Sequence, residues 1–274
     1  MFTTDLSMDV VELAVEAENA GFDSLWIPEH THIPVSRKTP PPTGDAELAQ
    51  EYKRSLDPLV ALSFAAAATT HLRVGTGIML PAQREPIVTA KAIATLANLS
   101  GGRFDMGIGF GWNQDEIEAH GVDFKRRRAR AREHMLAMKE LWSNDQAEFH
   151  GEVVSFERSW SWPKPAQPVP VLLGGGSGPK LFDQIVEYAD GWIPIGGSGL
   201  EEAVPRLRQR FEDAGRDPSK LRVVPFGSHP TDAKLDHFES VGVTECVFRI
   251  PSASRDVVMP ILEDQSGLIE RRHS

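Results

Sequence analysis

Short apolar runs alternate with longer amphipathic stretches from one end of the chain to the other. Val10, Val11, Ala14, Ala17 and Ala20 recur at helical spacing until Gly21 stops them, and Ser24-Leu25-Trp26-Ile27-Pro28 then has the apolar density of a strand. The same reading predicts helices over Leu59 to Thr70, Pro86 to Leu99, Arg126 to Leu141, Leu181 to Tyr188, Glu201 to Ala214 and Asp232 to Val241. It predicts strands over His71 to Thr76, Arg103 to Ile108, Val169 to Leu173, Gly191 to Pro194, Leu221 to Phe226 and Cys246 to Ile250. A short hairpin is expected over Phe149 to Phe156, and Ser159-Trp160-Ser161-Trp162-Pro163-Lys164-Pro165 is too rich in proline to be regular. Strands alternating with helices bury both faces of a parallel sheet. Seven such strands with about eight helices point to an α/β fold, a TIM (β/α)8 barrel rather than an open sheet. No composition shift or long linker divides the chain, so residues 1–274 are expected to form one domain.

Composition narrows the partners. Of 274 residues, 41% are hydrophobic and 25% charged, which is ordinary globular usage. Lys and Arg number 29 against 39 Asp and Glu, and the net charge of −10 disfavours a nucleic-acid or anionic-membrane surface. The one cysteine, Cys246, excludes an intramolecular disulfide, a cysteine zinc site and a CxxC pair. Its setting in Thr244-Glu245-Cys246-Val247-Phe248 reads as a buried strand in which it is a small core side chain. No signal-peptide pattern or apolar run of about 20 residues is present, so the cytoplasm is the expected compartment.

In a barrel, the loops that follow strands carry the chemistry. Two are long: Pro28 to Asp57, with its proline-rich stretch Pro34 to Pro42, and Gly107 to Lys125. His30 directly follows a strand, where an imidazole faces the barrel mouth and suits proton transfer; a histidine bonded into the loop is the alternative, more so for His32. No remote partner supports a metal at Glu29, His30 and His32. Thr76, Gly77 and Ile78 end a strand whose glycines admit a planar ligand or a plain tight turn. Gly107-Ile108-Gly109-Phe110-Gly111-Trp112-Asn113 lacks the spacing of a dinucleotide fingerprint; it reads as a strand end presenting amides, with Trp112 a stacking wall or rim packing. Gly174, Gly175, Gly176 and Ser177 lead from a strand into a helix, an arrangement of free N–H groups and helix dipole that suits a phosphate. The basic run Lys125 to Arg128, with Arg130 and Arg132, is read as a solvated helix face or, more weakly, an attractor of an anionic cofactor tail; Trp160 and Trp162 are read as rim or outside packing.

Ala20-Gly21-Phe22-Asp23-Ser24-Leu25-Trp26, Glu29-His30, Gly75-Thr76-Gly77-Ile78, Leu99-Ser100-Gly101-Gly102-Arg103-Phe104, Gly107 to Asn113 and Gly174-Gly175-Gly176 occur in the order seen in the bacterial luciferase-like flavin monooxygenase superfamily. Glu-His-Thr-His-Ile-Pro and Trp-Ser-Trp-Pro-Lys-Pro look most like its deazaflavin (coenzyme F420)-dependent oxidoreductase branch. The resemblance implies a TIM barrel with the deazaflavin or FMN ring at the strand C-terminal mouth, a non-prolyl cis bond at Gly77-Ile78 forming a bulge behind the ring, and His30 beside the ring in proton transfer or hydride positioning. It implies cofactor contacts from Glu29, Thr76, Gly77, Ile78, Gly109, Gly111 and Asn113, and a phosphate-binding turn from Gly174 to Ser177. Substrate would lie toward His32 and Trp112, lined by variable loops such as Pro34 to Asp57 and Trp160 to Pro165. Some members carry a glutamate acid where this chain has Trp112, so a sugar-phosphate dehydrogenase is disfavoured, and Glu29 is the nearby candidate for orienting His30.

The resulting expectation is an oxidoreductase moving a hydride between coenzyme F420 and a small organic substrate, in a homodimer. The alternatives are an FMN-dependent monooxygenase fed by a separate reductase and a cofactor-binding protein without turnover. Met1-Phe2-Thr3-Thr4-Asp5 matches the end of the family's first strand, so the first strand is expected to be truncated or very short. An exposed edge is then expected between the strands at 24–28 and 246–250.

Overall fold

The computed structural model describes residues 2–40 and 47–273. Met1, Ser274 and the middle of the Pro34 to Asp57 loop, including Pro41 and Pro42, lie outside the described residues. The elements run α1 (Val10–Asn19), β1 (Ser24–Ile27), α2 (Pro58–Ala68), β2 (Arg73–Met79), α3 (Pro86–Leu99), β3 (Phe104–Ile108), α4 (Gln114–Ala119) and α5 (Arg127–Ser143). There follow β4 (Ala147–His150), β5 (Ser155–Ser159), β6 (Val171–Gly174), α6 (Pro179–Tyr188), β7 (Gly191–Ile193), α7 (Leu200–Asp213), β8 (Arg222–Val223), β9 (Phe226–Ser228), α8 (Asp232–Ser240), β10 (Val247–Phe248) and α9 (Arg255–His273). Asp9, Asp57 and Glu85 start α1, α2 and α3 by accepting from first-turn N–H groups, and Pro58, Pro86 and Pro179 occupy opening helical positions that need no donor. No helix among the described residues is long and apolar enough to cross a membrane.

Six parallel strands form one curled sheet in the order β1-β2-β3-β6-β7-β8, with β9 and β10 a separate parallel pair and β4-β5 the antiparallel hairpin. The convex face packs on the helices through Leu25, Val74, Phe104, Met106, Val171 and Val223. The concave face holds its own cluster, in which Trp26, Leu172, Ile193 and Val224 are buried and Ile78, Phe226 and Val247 pack against them. Below that cluster, Asp105 is fully buried and receives two hydrogen bonds from Arg73, at 2.9 and 2.7 Å, and two from Arg222, at 2.8 and 3.3 Å. The interior is therefore layered: charges at one end, aromatic and aliphatic packing in the middle, and the glycine-bearing strand ends at the other.

Several expectations need correction. The strands do not close into a ring among the described residues: no strand pairs with the free side of β1, and a cleft of about 480 Å³ separates it from β10. The expected open edge is thus present. Residues Phe2 to Asp5 form no strand; Thr4 makes one isolated bridge, to Ser55. The strand expected over Leu221 to Phe226 is broken into β8 and β9, because Pro225 has no N–H to continue the ladder. Only Val247 and Phe248 of the last expected strand are in β10, so Cys246 lies just ahead of it and is half-buried, with burial pushing its thiol pKa up. Helices α4 and α9 have no counterpart in the sequence reading; Pro260 and Gly267 interrupt the apolar pattern of α9, which still buries Val258, Leu262 and Leu268.

The Trp160 to Pro165 segment was expected to line the substrate pocket. It lies instead against the C-terminal end of α5, where Lys164 donates to Leu141 O and Asn144 O and the Trp162 indole donates to Asp145. The exposed Trp160 and Trp162 fit their outside reading. The basic run is largely paired with protein groups: Arg126 with Glu152, Arg132 with Glu187, and Arg128 with Gln184 and, 4.2 Å away, the Phe110 ring.

Removing the Asp105 carboxylate leaves two guanidinium groups facing each other inside the sheet. Asp105→Ala is expected to lose about 3–5 kcal/mol of unfolding free energy, measured by urea denaturation. At the C-terminal end of α1, Glu18 accepts from the backbone N–H groups of Thr70, His71 and Leu72, which hold its carboxyl down from 4.5 to about 2. A depressed folded pKa stabilises above the unfolded value and ceases to do so as pH falls through the folded one. The parent should therefore exceed Glu18→Gln in urea midpoint above pH 4.5, and the gap should close on acidification toward pH 2.

Candidate active site at the strand C-terminal ends

β2 ends in a cis peptide between Gly77 and Ile78, the bond that the resemblance implied, and the β2-β3 register shifts between Thr76 and Met79. The bulge turns the Ile78 side chain across the neighbouring strand ends: a Cβ on Gly109 would overlap it, and one on Gly174 would stand 3.2 Å from it. Phe226 covers Gly77 in the same way. Side-chain-free positions on β2, the end of β3 and β6 are thus a packing requirement. The Thr76 hydroxyl is not free for a ligand, since it donates to Gly107 O at 2.7 Å.

Glu29 fixes the segment after the bulge. Its buried carboxylate accepts from Leu80 N and from Arg84 Nε, both at 2.7 Å, and Arg84 continues to Asp57. Burial pushes this carboxyl up and Arg84 pulls it back; with both oxygens accepting, the ionised form fits the geometry. Glu29 therefore does not orient His30, contrary to expectation.

That partner is Glu116 on α4. Its Oε2 lies 2.7 Å from His30 Nδ1 and its Oε1 accepts from Thr31 N at 3.2 Å. Glu116 is 1% exposed and the His30 side chain 7%, so this is a buried, fully bonded carboxylate beneath an imidazole. Three rings stand around His30: Phe2, nearly parallel at 6.2 Å, Tyr52 at 5.3 Å and Trp112, edge-on at 5.8 Å. The sequence reading missed Glu116, Tyr52 and Phe2. The acidic first turn Gln114-Asp115-Glu116 after Asn113 was the available signal for α4, but its pairing with a residue 86 positions away has no local signature.

His32 is exposed and bonds the Thr31 hydroxyl at 3.1 Å, as does His120 at 2.7 Å. Burial and the His32 ring push the His120 pKa down. His32 and His120 thus form an outer pair joined through Thr31, whose own N–H is held by Glu116.

Two features mark room for a ligand. Asn113 is 1% exposed, yet neither amide atom has a hydrogen-bond partner. Between β6 and α6, no protein acceptor among the described residues takes the N–H groups of Gly176 or Ser177, and the space beside Gly176 is open. Gly111 supplies the left-handed backbone, φ +73°, that carries the chain from β3 to Trp112 and Asn113.

Comparison with known proteins agrees with this architecture. The luciferase-like monooxygenase model matches residues 7–234. An uncharacterised protein of Mycobacterium tuberculosis is 44% identical over 99% of this chain and 95% of its own length. An F420-dependent glucose-6-phosphate dehydrogenase of Kineococcus radiotolerans is 34% identical over 77% of this chain and 60% of its own. Among solved structures, an F420-dependent secondary alcohol dehydrogenase holding an F420-acetone adduct superposes with TM-score 0.76 at 19% identity, covering 94% of this chain and 92% of that one. Monooxygenase RslO1 of Streptomyces bottropensis superposes with TM-score 0.78, also at 19% identity, covering 97% and 93%. At that identity the structures speak to fold alone, and the family model with the sequence relatives settles the matter: the chain belongs to the luciferase-like monooxygenase family.

Proposed function

We propose that the chain is an oxidoreductase that uses coenzyme F420 to move a hydride to or from a small organic substrate. The observation that carries this reading is the His30-Glu116 pair, buried at the strand ends beside the Ile78 bulge. The F420-dependent sequence relative supports the choice of cofactor. The residues present fit such a group. The Ile78 bulge with Gly77, Gly109 and Gly174 forms a surface against which a flat ring would rest, and the unpartnered Asn113 amide offers a donor and an acceptor. The free N–H groups of Gly176 and Ser177 would hold the phosphate. When bound, the deazaflavin ring gives or takes the hydride.

The chain's own residues handle the proton. Glu116 holds the hydrogen on Nδ1, which leaves the Nε2 lone pair free to accept. His30 Nε2 would take up a substrate hydroxyl proton on oxidation and return it on reduction, with Glu116 stabilising the imidazolium in between. Because Trp112 stands where a carboxylic acid serves in some dehydrogenases, both proton duties fall to His30. A second reading, an FMN-dependent monooxygenase fed by a separate reductase, is kept by the fold shared with RslO1.

Titration with both cofactors, followed by fluorescence, separates the two: F420 should bind at least about tenfold tighter than FMN, about 1.4 kcal/mol. Tighter FMN binding with oxygen-dependent turnover would install the second reading. His30→Ala should lower kcat by about 10² to 10⁴ with F420 affinity little changed. Undiminished turnover would remove His30 from the mechanism, and absence of turnover in the parent with any alcohol or carbonyl would leave only cofactor binding.

A further inference from the structure

We propose that Phe2, Tyr52 and Trp112 form the substrate seat over His30, and that its occupant is an uncharged ketone or alcohol with an apolar ring or branched body. The proposal rests on the reading of His30 as the proton-handling group. The rings touch one another as well as the imidazole: Phe2 and Tyr52 are 4.7 Å apart and Tyr52 and Trp112 6.0 Å, the latter at 87°. They come from three separate places, the N-terminal segment, the turn before α2 and the end of β3, so no single element's packing explains their meeting above one histidine. Each is partly exposed, whereas the imidazole that they surround is 7% exposed. A molecule that reaches Nε2 must slide against aromatic surface and shed its water.

That passage selects against charge, because a desolvated ion needs a partner and the buried charges beneath the rings are taken. Both Glu116 oxygens are bonded, to His30 and Thr31. Arg84 is held by Glu29 and Asp57, and Arg54 pairs with Asp5. Two charges unpaired among the described residues act on Tyr52, the half-buried Glu51 and the exposed Arg249, and being opposite in sign they favour neither an anion nor a cation. Burial also pushes the Tyr52 hydroxyl pKa up, as expected of a poorly hydrated wall. An uncharged oxygen, by contrast, needs one hydrogen bond, and His30 Nε2 supplies it while the rings cover the hydrocarbon. The phosphate of a sugar phosphate finds no such provision in this cluster.

The test is calorimetric titration of the protein loaded with oxidised F420, a state in which a ketone binds without turning over. The probes are cyclohexanone, cyclohexanecarboxylate, cyclohexyltrimethylammonium and glucose 6-phosphate. Cyclohexanone should bind at least about tenfold tighter than each charged probe. Tyr52→Ala and Trp112→Ala should each weaken it about fivefold or more while F420 affinity holds, and Tyr52→Phe, which keeps the ring, should stay within about twofold. Tighter binding of the ammonium, or of either anion in a manner lost in Arg249→Ala, would overturn the substrate class. Cyclohexanone affinity unmoved in both alanine variants would overturn the seat. Failure to load F420 would strike the functional reading instead, and cyclohexanone titrated into the unloaded protein would still decide between seat and no seat.

Discussion

Trp26 occupies the concave face of the sheet, and the strands beside it close on the indole only where they carry no side chain. A Cβ on Gly75 would lie 2.5 Å from the Trp26 ring, and one on Gly107 would collide with the Thr76 carbonyl. This crowding sets the layering of the interior. It pushes the charged residues Arg73, Asp105 and Arg222 to one end, where they compensate one another, and leaves the other end to glycines over which Ile78 and Phe226 fold. The bulge at Gly77-Ile78, on which the mouth is built, is thus continuous with the packing beneath it.

Two buried carboxylates divide the work at that mouth. Each obeys the same rule, that an ionised group taken out of water keeps both oxygens bonded. Glu29 spends its oxygens on Leu80 N and Arg84 and so belongs to the scaffold that anchors the end of β2. Glu116 spends one on Thr31 N and one on the His30 ring, so its remaining influence is exerted through the imidazole. The scaffold pair anchors the strand end, and the histidine pair is the one to which the proposed reaction assigns the proton. The aromatic residues above them come from loops and from the N-terminal segment, the parts of such a fold free to vary without disturbing the sheet.

Much of this was legible in the chain. Period-two and period-3.6 apolar patterns located β1, β2, β3, β6 and β7 and the helices α1 to α3 and α5 to α8, because burial of one face is a local demand on sequence. Glycines at 77, 109 and 174 to 176 marked the strand ends, and His30 was placed at the mouth by its position after a strand. What failed did so for identifiable reasons. Pro225 cut a strand that apolar density alone extended. Helix α9 was hidden by Pro260 and Gly267, and nothing local in Trp160 to Pro165 shows that Lys91 of α3 holds the Trp162 carbonyl while Lys164 reaches the C-terminal end of α5.

The partner of His30 shows the boundary most clearly. Glu29 is its sequence neighbour and was the natural candidate, yet Glu116, 86 residues on, holds the ring. The sequence by itself determined the α/β alternation, the strand ends and the residue types at the mouth, since each is set by neighbours within a few positions. Only the tertiary structure decided which carboxylate meets which cation or imidazole, that Phe2, Tyr52 and Trp112 converge, and that the sheet stays open between β1 and β10. Those outcomes depend on how distant strands are brought together around Trp26, and no local pattern carries that distance.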